Sequence, residues 1–215
     1  MSRRDNAANR CRGCAMHLSL CVCEALRPIA VTTRLSLVMH CAEVRKTTNT
    51  GRLALRCLCD SELTIHGRAG EPAAPPPARG FRDLLLFPET GAEELTAAHG
   101  TRGPVRLFVP DGTWRQAAKM TRRIAWLATL PRVAVPVGEA SRYKLRSESK
   151  HGGLATLEAI ARAYGLLEGP AVQRQLEEVF RRVVDRTLFS RGVLEAERVF
   201  GGIPDGVMRH DPRSG

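Results

Sequence analysis

Residues 33–40, TRLSLVMH, set Leu35, Leu37 and Met39 against polar or smaller neighbours. That period of two predicts a strand. SELTIHG (61–67), FRDLLLFP (81–88), GPVRLFVPDG (103–112) and PRVAVPVG (131–138) are short apolar runs bounded by turn formers, and they predict four more. Between them the period lengthens. The second half of AEVRKTTNTGRLALRCL (42–58) predicts a helix, and GAEELTAAHG (91–100) predicts a short one closed by Gly100. TWRQAAKMTRRIAWLA (113–128) predicts one continuous helix, and GLATLEAIARAYGLLEG (153–169) one opened by Gly152 and Gly153. The clearest is 171–192, where Val172, Leu176, Val179, Phe180, Val183, Val184 and Leu188 form an apolar stripe. EPAAPPPARG (71–80) is proline-rich and predicts a loop.

Strands alternating with helices predict an α/β fold with a largely parallel sheet and flanking helices. Residues 31–200 make the main domain. Residues 1–30 are a small N-terminal segment, and polar, Gly- and Pro-containing residues 201–215 predict a flexible tail. Sheets of this kind place ligands beyond the carboxyl ends of their strands. Attention therefore falls on His40–Glu43, Leu86–Glu89 and Pro110–Trp114. Neither a G-x-G-x-x-G fingerprint nor a P-loop is present, which disfavours a dinucleotide enzyme or NTPase.

The chain has 215 residues, 43% of them hydrophobic and only 5% aromatic, so an aliphatic core is expected. No apolar run reaches the length of a membrane span, and the opening MSRRDNAANR lacks a signal-peptide core. A soluble, cytoplasmic protein is expected. The net charge of +11 points to a polyanionic partner, with nucleic acid first. An arginine-rich but otherwise ordinary surface is the competing explanation.

CRGCAMHLSLCVC places Cys11, Cys14, Cys21 and Cys23 within thirteen residues. Two close pairs can supply four thiolates to one structural zinc. An iron–sulfur cluster or disulfides are the alternatives. His17 lies inside the loop, but four thiolates leave it no place. Cys57 and Cys59 have no second pair and read as free thiols, and Cys41 as a buried strand-end cysteine.

DGTW, Asp111 to Trp114, resembles the D-x-T-W signature of the DTW-domain family. The resemblance extends along the chain. The cysteine cluster stands first, TNTGRL (48–53) resembles the family's N-T-G-R segment, LLFP (85–88) its strand-end proline motif, and LATLEAIA (154–161) its T-x-E-A helix start. Ala155 stands where serine is expected, and the APPP loop reads as an insertion. The resemblance implies a SPOUT-like fold with a knotted cofactor site. It implies a tRNA-uridine aminocarboxypropyltransferase that moves the 3-amino-3-carboxypropyl group of S-adenosylmethionine (SAM) to N3 of a uridine in the tRNA variable loop. It also implies a monomer or weak dimer, with monomer expected here. A SPOUT-like RNA methyltransferase and a non-catalytic zinc-containing RNA-binding protein are the rival readings.

Asp111 is the candidate base for N3, or an acceptor that orients it. An ordinary aspartate with a pKa of about 3.9 is weak for the task, and desolvation would help. Read without the resemblance, Asp111 is first an N-cap. Thr113 is a helix-start hydroxyl or a substrate contact, and Trp114 a stacking platform or a core residue. By resemblance, Leu86, Phe87, Pro88, Val135 and Pro136 cradle the adenosine. Leu154, Ala155 and Thr156, at a helix start, are candidates for the SAM carboxylate, and Glu158 for its ammonium or a ribose hydroxyl, with a favourable first-turn charge as the competing reading of Glu158. Arg45, Lys46, Asn49 and Arg52, with Arg142, Lys144 and Arg146, are the candidate RNA contacts; Arg122 and Arg123 add charge.

Overall fold

The computed structural model describes residues 6–68, 75, 77–138, 141 and 153–207. Its strands are β1 (Arg34–His40), β2 (Ser61–His66), β3 (Arg82–Leu86), β4 (Glu93–Glu94), β5 (Val105–Asp111) and β6 (Arg132–Ala134). Its helices are α1 (Gly51–Cys57), α2 (Ala97–Thr101), α3 (Trp114–Arg123), α4 (Ala125–Ala128), α5 (Thr156–Leu167) and α6 (Pro170–Ser190). The strands form one sheet in the order β2-β1-β5-β3-β6-β4. Every pairing is parallel. The mixed α/β fold expected from the sequence is present.

Both faces of the sheet are covered. Leu35, Leu37, Leu84, Leu107 and Val109 pack in one core with residues of α1, α5 and α6. Val38, Leu85, Phe87 and Phe108 pack in a second core with Met120, Ile124 and Leu127 of the α3–α4 region. Central β5 is buried along its whole length, as a parallel strand covered on both sides must be. Its pairing with β1 runs to Met39↔Asp111, but its pairing with β3 stops at Leu85↔Phe108. Pro110 follows and has no N–H with which to continue a ladder.

Four local expectations change. Residues 93–94 form the edge strand β4, and α2 begins only after the capping residue Thr96. Gly100 lies inside α2: a Cβ there would come within 2.7 Å of the Leu167 carbonyl oxygen, so it serves the close approach of α2 to α5. The helix expected over 113–128 breaks at Ile124, whose extended backbone (ψ 107°) turns its fully buried side chain into the second core. The strand expected over 131–138 is reduced to β6, and Pro136 follows soon after.

The cysteine segment shares the main core. Cys14, Met16, Leu20, Val22 and Leu26 are buried with Val179, Phe180 and Val183 of α6. Residues 201–207 also differ from a free tail. Ile203 and Val207 pack against that core, and Arg186 Nε donates to the Gly202 carbonyl at 3.2 Å. Among the described residues, no helix is long and apolar enough to cross a membrane.

Candidate functional site

Asp111 ends β5, and its odd position in the strand puts its side chain on the α1–α5 side of the sheet. It is only 3% exposed. Asn49 Nδ2 donates to Asp111 Oδ2 at 2.5 Å, and Thr156 Oγ1 donates to Oδ1 at 2.6 Å. Asn49 belongs to the TNTGRL segment and Thr156 to the LATLEAIA segment, so three motifs far apart in sequence meet at one buried carboxylate. A second contact joins the same helix starts: Leu157 N donates to Thr50 Oγ1 at 3.4 Å. Gly51 makes the approach possible, because a Cβ there would lie 2.8 Å from Asp111 Oδ2.

The N-cap reading of Asp111 is overturned. Thr113 caps α3 instead: its hydroxyl accepts from Gln116 N at 3.3 Å, and Thr113 N donates to Gln116 Oε1 at 2.8 Å. This is a capping box, and its T-x-x-Q pattern stood in TWRQ unread. Gln116 also reaches across the end of β1 to His40 Nδ1 at 3.2 Å. Ala42 N donates to that same nitrogen at 3.2 Å, so Nδ1 is the acceptor and the ring proton sits on Nε2.

Trp114 faces the other side of the sheet. Its ring lies 6.0 Å from Phe87, tilted by 48°. The two rings, with Pro88, Glu89, Thr90, Ala118, Arg122 and Ala134, line an open cavity of about 480 Å3. It sits where β3 and β6 end, at the carboxyl edge of the sheet. Such an edge is the expected ligand position for this architecture. Of the residues assigned to the adenosine, Phe87 and Pro88 line this cavity. Leu86 is instead buried in the main core, and Val135 and Pro136 are half-buried beyond β6. Arg122, expected only as basic charge, lines the cavity too, and Thr90, Ala118 and Ala134 join it with no local signal in the sequence.

At α5, Ala155 takes the N-cap position without a side-chain bond. Glu158, at N3, supplies the reciprocal bond of a capping box: its Oε2 accepts from Ala155 N at 2.9 Å and from Ser141 Oγ at 2.5 Å. Leu154 and Thr156 are half-buried beside them. Glu158 is 6% exposed and holds the start of the helix.

The residues assigned to RNA separate. Arg45 is exposed. Lys46 pairs with buried Glu43 at 2.5 Å. Arg52 is half-buried and donates to the Val44 carbonyl at 2.5 Å. Burial lowers the Arg52 pKa, while the charges of Asp111 and Glu43 oppose that shift. Asn49 is 5% exposed and faces Asp111, so it is not an RNA-facing side chain; the inward bond takes its amide. Arg142, Lys144 and Arg146 lie outside the described residues.

The four N-terminal cysteines converge. Their sulfurs all lie within 4.8 Å of one another, with Cys11–Cys23 at 3.5 Å and Cys14–Cys21 at 3.7 Å. Sulfurs about 2.3 Å from a tetrahedral zinc would be about 3.8 Å apart, so the set fits a four-thiolate metal site. A Cβ at Gly13 would lie 2.8 Å from Cys23 Sγ, so the loop needs glycine to bring the sulfurs together. The Cys14 amide, helped by that of Gly13, brings Cys11 down to about 6, whereas burial pushes Cys14 up to about 11. His17 is not a ligand; its Nδ1 lies 2.7 Å from Ser19 Oγ. Arg186 of α6 supports the loop by donating to the Cys21 carbonyl and pairing with Glu24 at 3.1 Å. Of the remaining cysteines, Cys57 is buried and pushed up to about 11, and Cys59 is exposed. Cys41 is half-buried and donates to the Gly67 carbonyl at 3.0 Å.

Comparison with known proteins joins these features to a family. The DTW domain model matches residues 8–188, a span that holds the cysteine cluster and all three motifs at Asp111. The tRNA-uridine aminocarboxypropyltransferase 2 of Drosophila melanogaster is 27% identical over 182 residues, covering 79% of this chain and 71% of the fly protein. The mouse protein of the same name is 28% identical over 167 residues, covering 74% of this chain and 56% of its own length. The SAM-dependent rRNA:acp-transferase Tsr3 from Vulcanisaeta distributa aligns with a TM-score of 0.48 and 16% identity, over 74% of this chain and 79% of that one. The chain belongs to the DTW-domain family.

Proposed function

We propose that this protein transfers the 3-amino-3-carboxypropyl group of SAM to N3 of a tRNA uridine in the variable loop, releasing 5′-methylthioadenosine. The observation that carries this reading is the meeting of the D-x-T-W, N-T-G-R and T-x-E-A segments at one buried node on the carboxyl edge of a parallel sheet. The curated relatives' names and the net charge of +11 support it.

The sulfonium of SAM has three carbons open to attack, and a near-attack pose of roughly 3–3.5 Å selects among them. Here the γ-carbon of the methionyl arm must face the uridine. N3 forms a bond to that carbon and the carbon–sulfur bond breaks. The electron pair goes to sulfur, which leaves as neutral 5′-methylthioadenosine, and the N3 proton passes to water. The aromatic-floored cavity of Phe87 and Trp114 suits a stacked base, with exposed Arg122 at its rim for a phosphate. The four cysteines hold Zn2+ and brace the N-terminal segment on α6, an architectural role.

The by-product tests the reading. The protein is incubated with SAM and unmodified tRNA, and the nucleoside products are separated. Methylthioadenosine appearing only with tRNA supports it. S-adenosylhomocysteine would mean methyl transfer, and neither product would favour a binding role.

A further inference from the structure

We infer that Asp111 acts as a positioning residue, not as the base that takes the uridine proton, and that Asn49 and Thr156 are the partners through which it acts. The inference rests on the transferase reading and assigns roles within that site.

A general base needs a lone pair that can come within hydrogen-bond reach of the proton it removes. Asp111 already receives one short bond on each oxygen and is almost wholly enclosed. Gly51 packs directly over Oδ2. Protonating the carboxylate would weaken both charge-assisted bonds.

The same bonds give Asp111 a different task. Asn49 stands just before Thr50, the N-cap of α1, and Thr156 opens α5. One carboxylate at the end of β5 therefore fixes both helix starts against the central strand. The orientation of Asn49 is set from both sides: Nδ2 donates to Asp111, and Oδ1 accepts from Arg52 N at 3.2 Å. The start of α5 carries the residues assigned to the amino-acid end of SAM. Small displacements there would spoil the near-attack pose.

The one-way polarity of the Asn49–Asp111 bond permits a swap. Asp111→Asn alone either sets an amide donor against the Asn49 donor or, flipped, turns the Thr156 hydroxyl into an acceptor, and in both cases the charge assistance of the two bonds is lost. In N49D/D111N the bond is restored in reverse: the amide at 111 donates to the carboxylate at 49. That carboxylate still accepts from Arg52 N, and Thr156 still has an oxygen to donate to. SAM affinity by calorimetry, melting temperature and methylthioadenosine release are measured for the wild type, both single variants and the swap.

We expect each single variant to bind SAM at least about tenfold more weakly and to melt earlier, as loss of a buried charge-assisted bond requires. The swap should recover affinity, melting and turnover together. Recovery of affinity and melting while turnover stays at the Asp111→Asn level would overturn the inference, because the carboxylate at 111 would then be needed for chemistry. If the swap does not fold, the pH–rate profile of Asp111→Asn decides. A positioning role leaves the acid limb of the residual rate where it is in the wild type, and a base role removes it. A wild type that releases no methylthioadenosine would fail the transferase reading separately. Affinity and melting would still test the node, and singles indistinguishable from the wild type would sink it.

Discussion

Asp111 and Trp114 are three residues apart and lie on opposite faces of the sheet. The aspartate bonds to Asn49 and Thr156 under α1 and α5, and the tryptophan packs on Phe87 beneath α3. The D-x-T-W signature therefore serves two environments. Its first residue organises backbone elements, its threonine caps α3, and its tryptophan walls a cavity.

The two tryptophans should respond differently to truncation. Trp114→Ala removes one wall of the cavity, and stacking of a base on an aromatic is worth about 1–3 kcal/mol. We expect KM for SAM or tRNA to rise about tenfold or more, beyond what the loss of its packing against the second core explains. Trp126, half-buried at the edge of the second core, packs on Phe108 at 5.5 Å and lines no part of the cavity. Trp126→Ala should instead cost about 2–4 kcal/mol of stability and leave KM near the wild-type value. Steady-state kinetics and urea denaturation of both variants check the contrast.

Gly51 limits what the Asp111 node can tolerate. A Cβ there meets Asp111 Oδ2 at 2.8 Å and a Leu37 methyl at 3.2 Å. Gly51→Ala should destabilise the fold by about 1–3 kcal/mol through overpacking, although alanine is the better helix former. The loss of kcat/KM should exceed what the unfolded fraction explains. A variant as stable and active as the wild type would show that the node has slack.

Much of the architecture was legible because parallel strands and amphipathic helices write their period directly into the chain. Asp111 at a strand end, the four converging cysteines and the α6 stripe all followed from spacing. What escaped depended on contacts between distant segments. Asn49 looked like part of a basic, RNA-facing run, and nothing local says that its amide turns inward to residue 111. The break at Ile124 carries no Gly or Pro, and only burial in the second core explains it. Gly100 read as a helix stop because its neighbour, the Leu167 carbonyl, is far away in sequence.

The cysteine site makes a compositional prediction. Purified protein should contain one equivalent of zinc by elemental analysis. Strong chelation should lower the melting temperature, because the ligand loop shares its core with α6. Cys14→Ser should lose the metal, and Cys59→Ser, at an exposed cysteine outside the cluster, should keep it. Gly13→Ala should weaken zinc binding without removing a ligand, because its Cβ would press on Cys23 Sγ.

Stability should fall in acid through Glu168. Burial alone would raise this carboxyl, but hydrogen bonds from Thr33 and Thr32 outweigh it and hold it below the ordinary value of 4.5. Thr33 N donates at 2.6 Å and Thr32 Oγ1 at 2.8 Å, tying the chain before β1 to the end of α5. A depressed folded pKa gives stability that is present above the unfolded value and is lost as pH falls through the folded one. Melting curves from about pH 6 down to about pH 3 should therefore drop more steeply for the wild type than for Glu168→Gln. Parallel curves would remove Glu168 from the account.

Attack at the γ-carbon of the methionyl arm, not at the methyl, defines the proposed reaction. Mass spectrometry of nucleosides digested from unmodified tRNA, after incubation with the protein and SAM, tests it most directly. The expected product is a uridine heavier by one 3-amino-3-carboxypropyl group, mapped to the variable loop. A uridine heavier by one methyl group would contradict it.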